Sequence, residues 1–271
     1  MNKYTPKLTK NKFLHYLRPH MPAAGGCLVR KGKEEELSDA GLMLALSGAR
    51  LFFDCLHDLL TLSGSVLPEI EFLDTSQDIT KIGEIFRANK SDKAGPHHRY
   101  DLVYQSVFDY LKAENSINIL EIGLGTNNSD TVSHMGKNGR PGSSLYAYRE
   151  FFPKANIFGA DVDERILFES ERIKTAYVDQ LKPETFKQMH RELGEPYLDL
   201  FIEDGLHSVS ASLNSLNYAI SVTKKNGYII LEDLHNPKQI WQTLCLLVDS
   251  FFDFQSVKLV NSGGLMLVIK V

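Results

Sequence analysis

The stretch Ile117-Asn118-Ile119-Leu120-Glu121-Ile122-Gly123-Leu124-Gly125-Thr126 decides the fold. An apolar, β-branched run ends in a carboxylate and passes at once into two closely spaced glycines. This is how a buried parallel strand delivers the chain into a tight turn over which a nucleotide-like ligand can lie. Glycine there lets backbone approach ligand where a Cβ would collide. Glu121 falls at the strand's carboxyl end, where open α/β sheets keep their ligand crevice. An ordinary tight turn after a core strand leaves the same local signature, so the residues that follow carry the decision.

A dinucleotide fingerprint needs a third glycine three residues after the second, and Asn128 occupies that place. Residues 124–143 are rich in Gly, Asn, Ser and Thr, which predicts a long loop serving as a lid or binding element. A helix is expected at 144–152, then a short apolar strand ending in an acid, Asn156-Ile157-Phe158-Gly159-Ala160-Asp161. An acid at the end of the second strand can accept both hydroxyls of a ribose. Glu121 and Asp161 with these glycines suit an adenosine carrying no phosphate, and NAD is disfavoured.

The alternation continues on both sides. Val103, Val107, Tyr110 and Leu111 share a helix face before the first strand. Further strands are expected at 173–178, 198–203 and 227–232, with helices at 183–192, 209–224 and 238–252. Such a pattern predicts an α/β fold with a doubly wound, mostly parallel seven-stranded sheet. Asn261-Ser262-Gly263-Gly264 between two β-rich runs reads as a hairpin, so the last strand runs antiparallel.

Residues 1–90 differ in character and are expected to form a helical auxiliary region, leaving 91–271 as the ligand-binding domain. Pro6, Pro19, Pro22 and Gly25-Gly26 punctuate a loop-rich start. Leu42, Leu46, Ala49, Phe53 and Leu56 then recur at helical spacing. This region is either a packing appendage or a lid or oligomer interface, and a homo-oligomer is expected.

Composition sets the outer bounds. The 271 residues are 43% apolar and 24% charged, ordinary for a globular chain with a sizeable core. A net charge of −4 argues against a nucleic-acid partner. Cys27, Cys55 and Cys245 are odd in number and form no CxxC, which suits reduced thiols in a cytoplasmic protein. The polar, basic stretch Met1–Lys12 lacks the apolar segment of a signal peptide. Arg50, Asp54, His57 and Asp58 interrupt the most lipid-like stretch, so no membrane association is expected.

Two further strands end in acids. Leu198-Asp199-Leu200-Phe201-Ile202 leads into Glu203-Asp204-Gly205-Leu206-His207, and Gly227-Tyr228-Ile229-Ile230-Leu231 into Glu232-Asp233-Leu234-His235. If these strands are neighbours, Asp204, Glu232 and Asp233 converge at the sheet's carboxyl edge. Three hard carboxylates without thiolates suit Mg²⁺, Mn²⁺ or Ca²⁺. Left unneutralised, they would raise one another's pKa. The alternative is that one or two of them cap the following helices. His207, three residues beyond Asp204 and after a glycine, is placed to act as a general base or else is structural. His235 is a substrate contact or a surface residue.

These features together resemble class I S-adenosylmethionine-dependent methyltransferases, and more narrowly the metal-dependent macrolide sugar O-methyltransferases of the mycinamicin 2''-O-methyltransferase type. The resemblance rests on Leu120-Glu121-Ile122-Gly123-Leu124-Gly125, on Gly142-Ser143-Ser144-Leu145 with Phe151-Phe152-Pro153-Lys154-Ala155 and Asp161, on Asp204-Gly205-Leu206-His207, and on Ile229-Ile230-Leu231-Glu232-Asp233-Leu234. It implies a Rossmann-like fold, S-adenosylmethionine and Mg²⁺ (or Mn²⁺) as cofactors, and a sugar-containing small molecule as methyl acceptor. Glu121, Gly123, Gly125 and Ser143 would lie against the cofactor, Asp161 would hold its ribose, and Asp179 and Gln180 would face its adenine. Asp92, Lys93, His98 and Tyr100 resemble an element that folds over the cofactor. Asp204, Glu232 and Asp233 would hold the metal, with Asp204 also beside the cofactor, and His207 would take the proton from the sugar hydroxyl.

Two other classes compete. An oxidoreductase would be NAD-linked or a hydroxylase like the cephalosporin-type relatives, but non-haem iron asks for two histidines and one carboxylate. A non-catalytic binding module could keep the fold without the reaction, although Glu121, Asp161, Asp204 and His207 are all present.

Overall fold

The computed structural model describes residues 28–31, 34–37, 55–62, 64–112, 116–235 and 238–271. The chain divides into two compact units, Met1–Val66 and Leu67–Val271. The first holds an antiparallel hairpin of β1 (Leu28–Lys31) and β2 (Glu34–Leu37), with helix over residues 55–62. The hairpin was not expected in a region read as helical. The proposed start of the long helix, with Leu42, Leu46, Ala49 and Phe53, lies outside the described residues, as does the proline-rich beginning.

The second unit begins at Leu67, ahead of the boundary at residue 90 drawn from sequence. β3 (Ile70–Phe72) is hydrogen-bonded into the main sheet, and α1 (Lys81–Ala88) packs on the helices that follow. Thr80 caps α1 by accepting a hydrogen bond from Gly83 N. The chain then runs α2 (Asp101–Leu111), β4 (Asn118–Ile122), α3 (Ser143–Phe151), β5 (Asn156–Asp161), β6 (Glu169–Ser170) and β7 (Ile173–Tyr177). It continues through α4 (Pro183–Leu193), β8 (Leu198–Glu203), α5 (Val209–Val222), β9 (Thr223–Leu231), α6 (Lys238–Phe251), β10 (Ser256–Asn261) and β11 (Leu265–Lys270).

The sheet order is β3-β10-β11-β9-β8-β4-β5-β7-β6, nine strands rather than seven. The expected strands form its interior, and the short β3 and β6 flank them at the edges. A three-residue and a two-residue strand carry too little period-two pattern to be read from sequence. β11 runs antiparallel to both β10 and β9, as the hairpin predicted. β4 and β8 are parallel neighbours from which the chain departs in opposite directions, toward β5 and toward β9. This is the topological switch point of a doubly wound sheet. Right-handed crossovers place α1 to α3 on one face and α4 to α6 on the other.

The core beneath α1 to α3 is aromatic. Phe86, Tyr104, Phe108 and Tyr148 meet largely edge-to-face, with centroids 5.4–6.3 Å apart. Buried tyrosines need partners for their hydroxyls, and both of these point toward the switch point.

Gly123 fixes the crevice there. Its φ is +95°, and a Cβ on it would fall 1.9 Å from the carbonyl oxygen of Asp204. The glycine is therefore needed so that the β4 turn and the β8 turn can touch, more than for access of a ligand. Gly123→Ala is expected to cost about 3 kcal/mol or more, seen as a lower urea midpoint. Cys245 is fully buried, and burial pushes its thiol up to about 12. Iodoacetamide at pH 8 should leave Cys245 unmodified in the native protein and alkylate it in denaturant, as read by peptide mass spectrometry.

Candidate active site

The carboxyl ends of β4, β5, β7 and β8 surround a cavity of about 400 Å³, with Gly123, Asp161, Asp179 and Asp204 in its lining. A second cavity of about 260 Å³ shares Gly123, Gly125 and Asp204 with the first and is lined by Asp92, Lys93, Glu121, Ser143, His207 and Asp233. Most of the residues expected at a cofactor or metal site therefore meet at one rim of the sheet. The local roles of several differ from expectation.

Glu121 is buried at the end of β4 and accepts hydrogen bonds from Ser144 Oγ (2.5 Å) and Tyr148 Oη on α3. Burial pushes its carboxyl up, with Lys93 pulling the other way. Asp161 accepts from the backbone N–H of Leu124 (2.7 Å) and of Asp163 (2.9 Å), so it anchors the β4 turn to β5. Asp163 takes Thr126 Oγ1 (2.5 Å), Asn128 (2.8 Å) and Arg165 (2.6 Å), and Arg165 also reaches Asp130 (2.8 Å). The Arg165 guanidinium holds the Asp163 carboxyl well below the usual range. The loop after Gly125 is thus pinned along the larger cavity by charge-assisted bonds, as the Gly/Asn/Ser composition alone could not reveal. Exposed Val132, Val162 and Leu181 add apolar surface to that cavity.

Asp179 and Gln180 both line the larger cavity, but Gln180 is also a strut. Its amide donates to Glu203 Oε1 (2.7 Å) and Ser215 Oγ (2.8 Å), while its Oε1 accepts from Leu206 N (2.8 Å). Asp179 accepts from Leu181 N (3.0 Å) and pairs with Lys182 (2.9 Å). Glu203, completely buried, accepts Ser212 Oγ as well (2.9 Å), and burial pushes its carboxyl up.

The acids at the ends of β8 and β9 do converge, in a divided way. Oxygens of Asp204 and Asp233 and a nitrogen of His207 lie within 4.8 Å of one another. Glu232, expected as a third metal ligand, faces inward instead: Tyr104 Oη donates to its Oε1 and Lys93 Nζ to its Oε2 (2.6 Å). The same ammonium donates to Asp204 Oδ2 at 2.7 Å. Burial opposes a charge on Lys93, but Asp204, Glu121 and Glu232 outweigh it and hold the ammonium well above its ordinary value. Burial likewise pushes up the carboxyls of Asp204 and Glu232, the latter strongly, against the pull of Lys93.

His98 and Tyr100, expected over a cofactor, serve Asp233. Tyr100 Oη donates to Asp233 Oδ1 at 2.5 Å, and the His98 ring stacks on Tyr100 with Nδ1 3.8 Å from the same oxygen. Gly264 makes this possible, because a Cβ there would lie 1.9 Å from Tyr100 Oη. Arg99, between them, donates to the carbonyls of Thr75 (2.7 Å) and Gln77 (2.9 Å) and to buried Asp101. His207 Nε2 stands 3.9 Å from Asp204 Oδ1, and exposed His235 meets the His207 ring edge-on at 5.7 Å. Both His207 (φ 52°) and Asp233 (φ 49°) adopt left-handed backbone, a conformation that histidine and aspartate accept more readily than most residues.

Sequence reasoning missed Ser144, Tyr104 and Tyr148, which hold Glu121 and Glu232. Tyr104 and Tyr148 stand at core positions of their helices, where a tyrosine rather than a phenylalanine signals a polar partner.

No family model matches the chain. The 3'-O-methyltransferase of 8-demethyl-8-(2-methoxy-alpha-L-rhamnosyl)-tetracenomycin-C from Streptomyces olivaceus is 26% identical over 164 residues, covering 60% of this chain and 38% of the relative. Demethylmacrocin O-methyltransferase from Streptomyces fradiae is 26% identical over 153 residues, covering 56% and 36%. The chain thus spans less than half the length of these curated relatives. Among solved structures, the MycE methyltransferase of the mycinamycin biosynthetic pathway, in complex with Mg and SAH, superposes with a TM-score of 0.56 at 20% identity, covering 71% of this chain and 55% of that one. That likeness establishes the Rossmann-like methyltransferase fold. In sequence and in fold, the chain resembles class I S-adenosylmethionine-dependent methyltransferases of the macrolide sugar O-methyltransferase type.

Proposed function

We propose that this chain is a divalent-cation-dependent O-methyltransferase that moves the methyl of S-adenosylmethionine to a sugar hydroxyl of a glycoside or nucleotide sugar. The observation that carries this reading is the meeting of Asp204, His207 and Asp233 in the smaller cavity, directly against the larger strand-end cavity. The larger cavity has the features an adenosine needs: acids at Asp161 and Asp179, a glycine turn, and apolar surface from Val132, Val162 and Leu181. The rhamnosyl-bearing acceptor in the name of one relative supports a sugar as substrate.

The donor set fits a hard divalent ion. Asp204 Oδ2 is committed to Lys93 and Asp233 Oδ1 to Tyr100, so each carboxylate is held by one oxygen and offers the other. Asp204 and Asp233 would hold Mg²⁺ or Mn²⁺. When bound, S-adenosylmethionine supplies an electrophilic methyl, and the cation supplies Lewis acidity that lowers the pKa of a sugar hydroxyl. His207, beside both acids, takes the hydroxyl proton onto its imidazole. Glu121 and Ser144 line the smaller cavity, where their fixed hydrogen bond helps hold the acceptor in position.

Calorimetric titration should detect S-adenosylmethionine binding, and absence of any binding at millimolar cofactor would end this reading. Methyl transfer from labelled cofactor to a panel of rhamnosylated aglycones should stop in EDTA and return with Mg²⁺ or Mn²⁺. His207→Ala should lower that turnover about 10²–10⁴-fold while cofactor affinity stays near wild type. Unchanged turnover would assign His207 a structural role.

A further inference from the structure

We propose that Lys93 is a built-in counter-ion of the cation site, holding Asp204 in place while weakening the site's grip on a divalent ion. The inference rests on the reading of Asp204 and Asp233 as cation ligands. Lys93 sits on a short 3-10 turn, Asp92–Ala94, whose start is capped by Ser91. Its side chain is 2% exposed, and its ammonium lies 2.7 Å from Asp204 Oδ2 and 2.6 Å from Glu232 Oε2. One lysine therefore ties together the ends of β8 and β9, and its charge is also felt by Glu121 at the end of β4. A buried lysine is costly, and its removal would strand one fully buried acid, Glu232, and one partly buried acid, Asp204.

The consequence lies in how Asp204 is shared. One oxygen accepts from Lys93 and the other faces His207. A divalent ion held by Asp204 and Asp233 would share the Asp204 carboxylate with Lys93. Two cations on one carboxylate repel, and the partly buried setting weakens solvent screening of that repulsion. Without the lysine, Asp204 and Glu232 would turn their full charge on the ion, but the metal-free fold would carry both acids uncompensated. Lys93 thus exchanges ion affinity for stability of the metal-free state. It also keeps Glu232 directed inward, away from the ligand set.

The test compares wild type, K93M and K93M/E232Q by Mn²⁺ calorimetry and by thermal melting in EDTA. K93M should bind Mn²⁺ at least tenfold more tightly than wild type. Its melting midpoint in EDTA should fall by about 10 °C and recover on adding Mn²⁺. K93M/E232Q removes one stranded acid, so its midpoint in EDTA should return toward wild type. That variant carries the affinity comparison if K93M fails to fold without metal, and it should still bind Mn²⁺ more tightly than wild type, because the lost ammonium touched Asp204 directly. Equal or weaker Mn²⁺ binding by the variants would overturn the role of Lys93 and leave the cation site standing. No Mn²⁺ binding by any of the proteins would overturn both.

Discussion

Carboxylates gathered at one rim of a sheet repel, and the architecture holds only because positive charge and hydroxyl donors are brought to them. Lys93 supplies the charge to Asp204 and Glu232, while Tyr104, Tyr148, Ser144 and Tyr100 donate to Glu232, Glu121 and Asp233. Almost all of these donors come from the side of the sheet carrying α1 to α3 or from the turns leading into it. The segment from Ser91 to Tyr104 is therefore as much a part of the site as the strand ends it serves. A carboxylate left without such a donor in this setting would protonate or turn out to solvent.

Strand-end acids in a doubly wound sheet can serve a ligand, a metal or the fold itself, and here the three uses are mixed. Asp161 fastens one turn to another through backbone amides, and Glu203 sits entirely within a neutral hydrogen-bonded network. Asp204 and Asp233 each keep one oxygen tied back, and the other oxygen of Asp204 stands 3.9 Å from His207 Nε2. Partial restraint of this kind fixes a ligand's direction without saturating it, which is how supporting contacts orient the groups that bind a metal.

Much of the architecture was legible because long buried strands and amphipathic helices carry strong periodicity. β4, β5, β7, β8 and the helices α3 to α6 fall within a few residues of their expected spans. The short edge strands β3 and β6, the β1–β2 hairpin and the early start of the second unit were not legible, since their pairing is decided by distant partners. In the candidate site, residue type and strand-end position singled out Glu121, Asp161, Asp204 and Asp233, and the structure sets them with His207 along the two cavities. Type and position could not distinguish Glu232 from its neighbour: which acid meets Lys93 and Tyr104 and which meets Tyr100 depends on residues more than a hundred positions earlier.

The pairing of β3 with β10 bears on how the protein is made. Ile70, Glu71 and Phe72 align with Leu259, Val260 and Asn261, so an early segment waits for a strand from far later in the chain. A ribosome releasing residues in order must extrude α1 to α6 before that edge can be sealed. During this interval the backbone edges of both segments stand unpaired, the condition under which chains associate edge to edge.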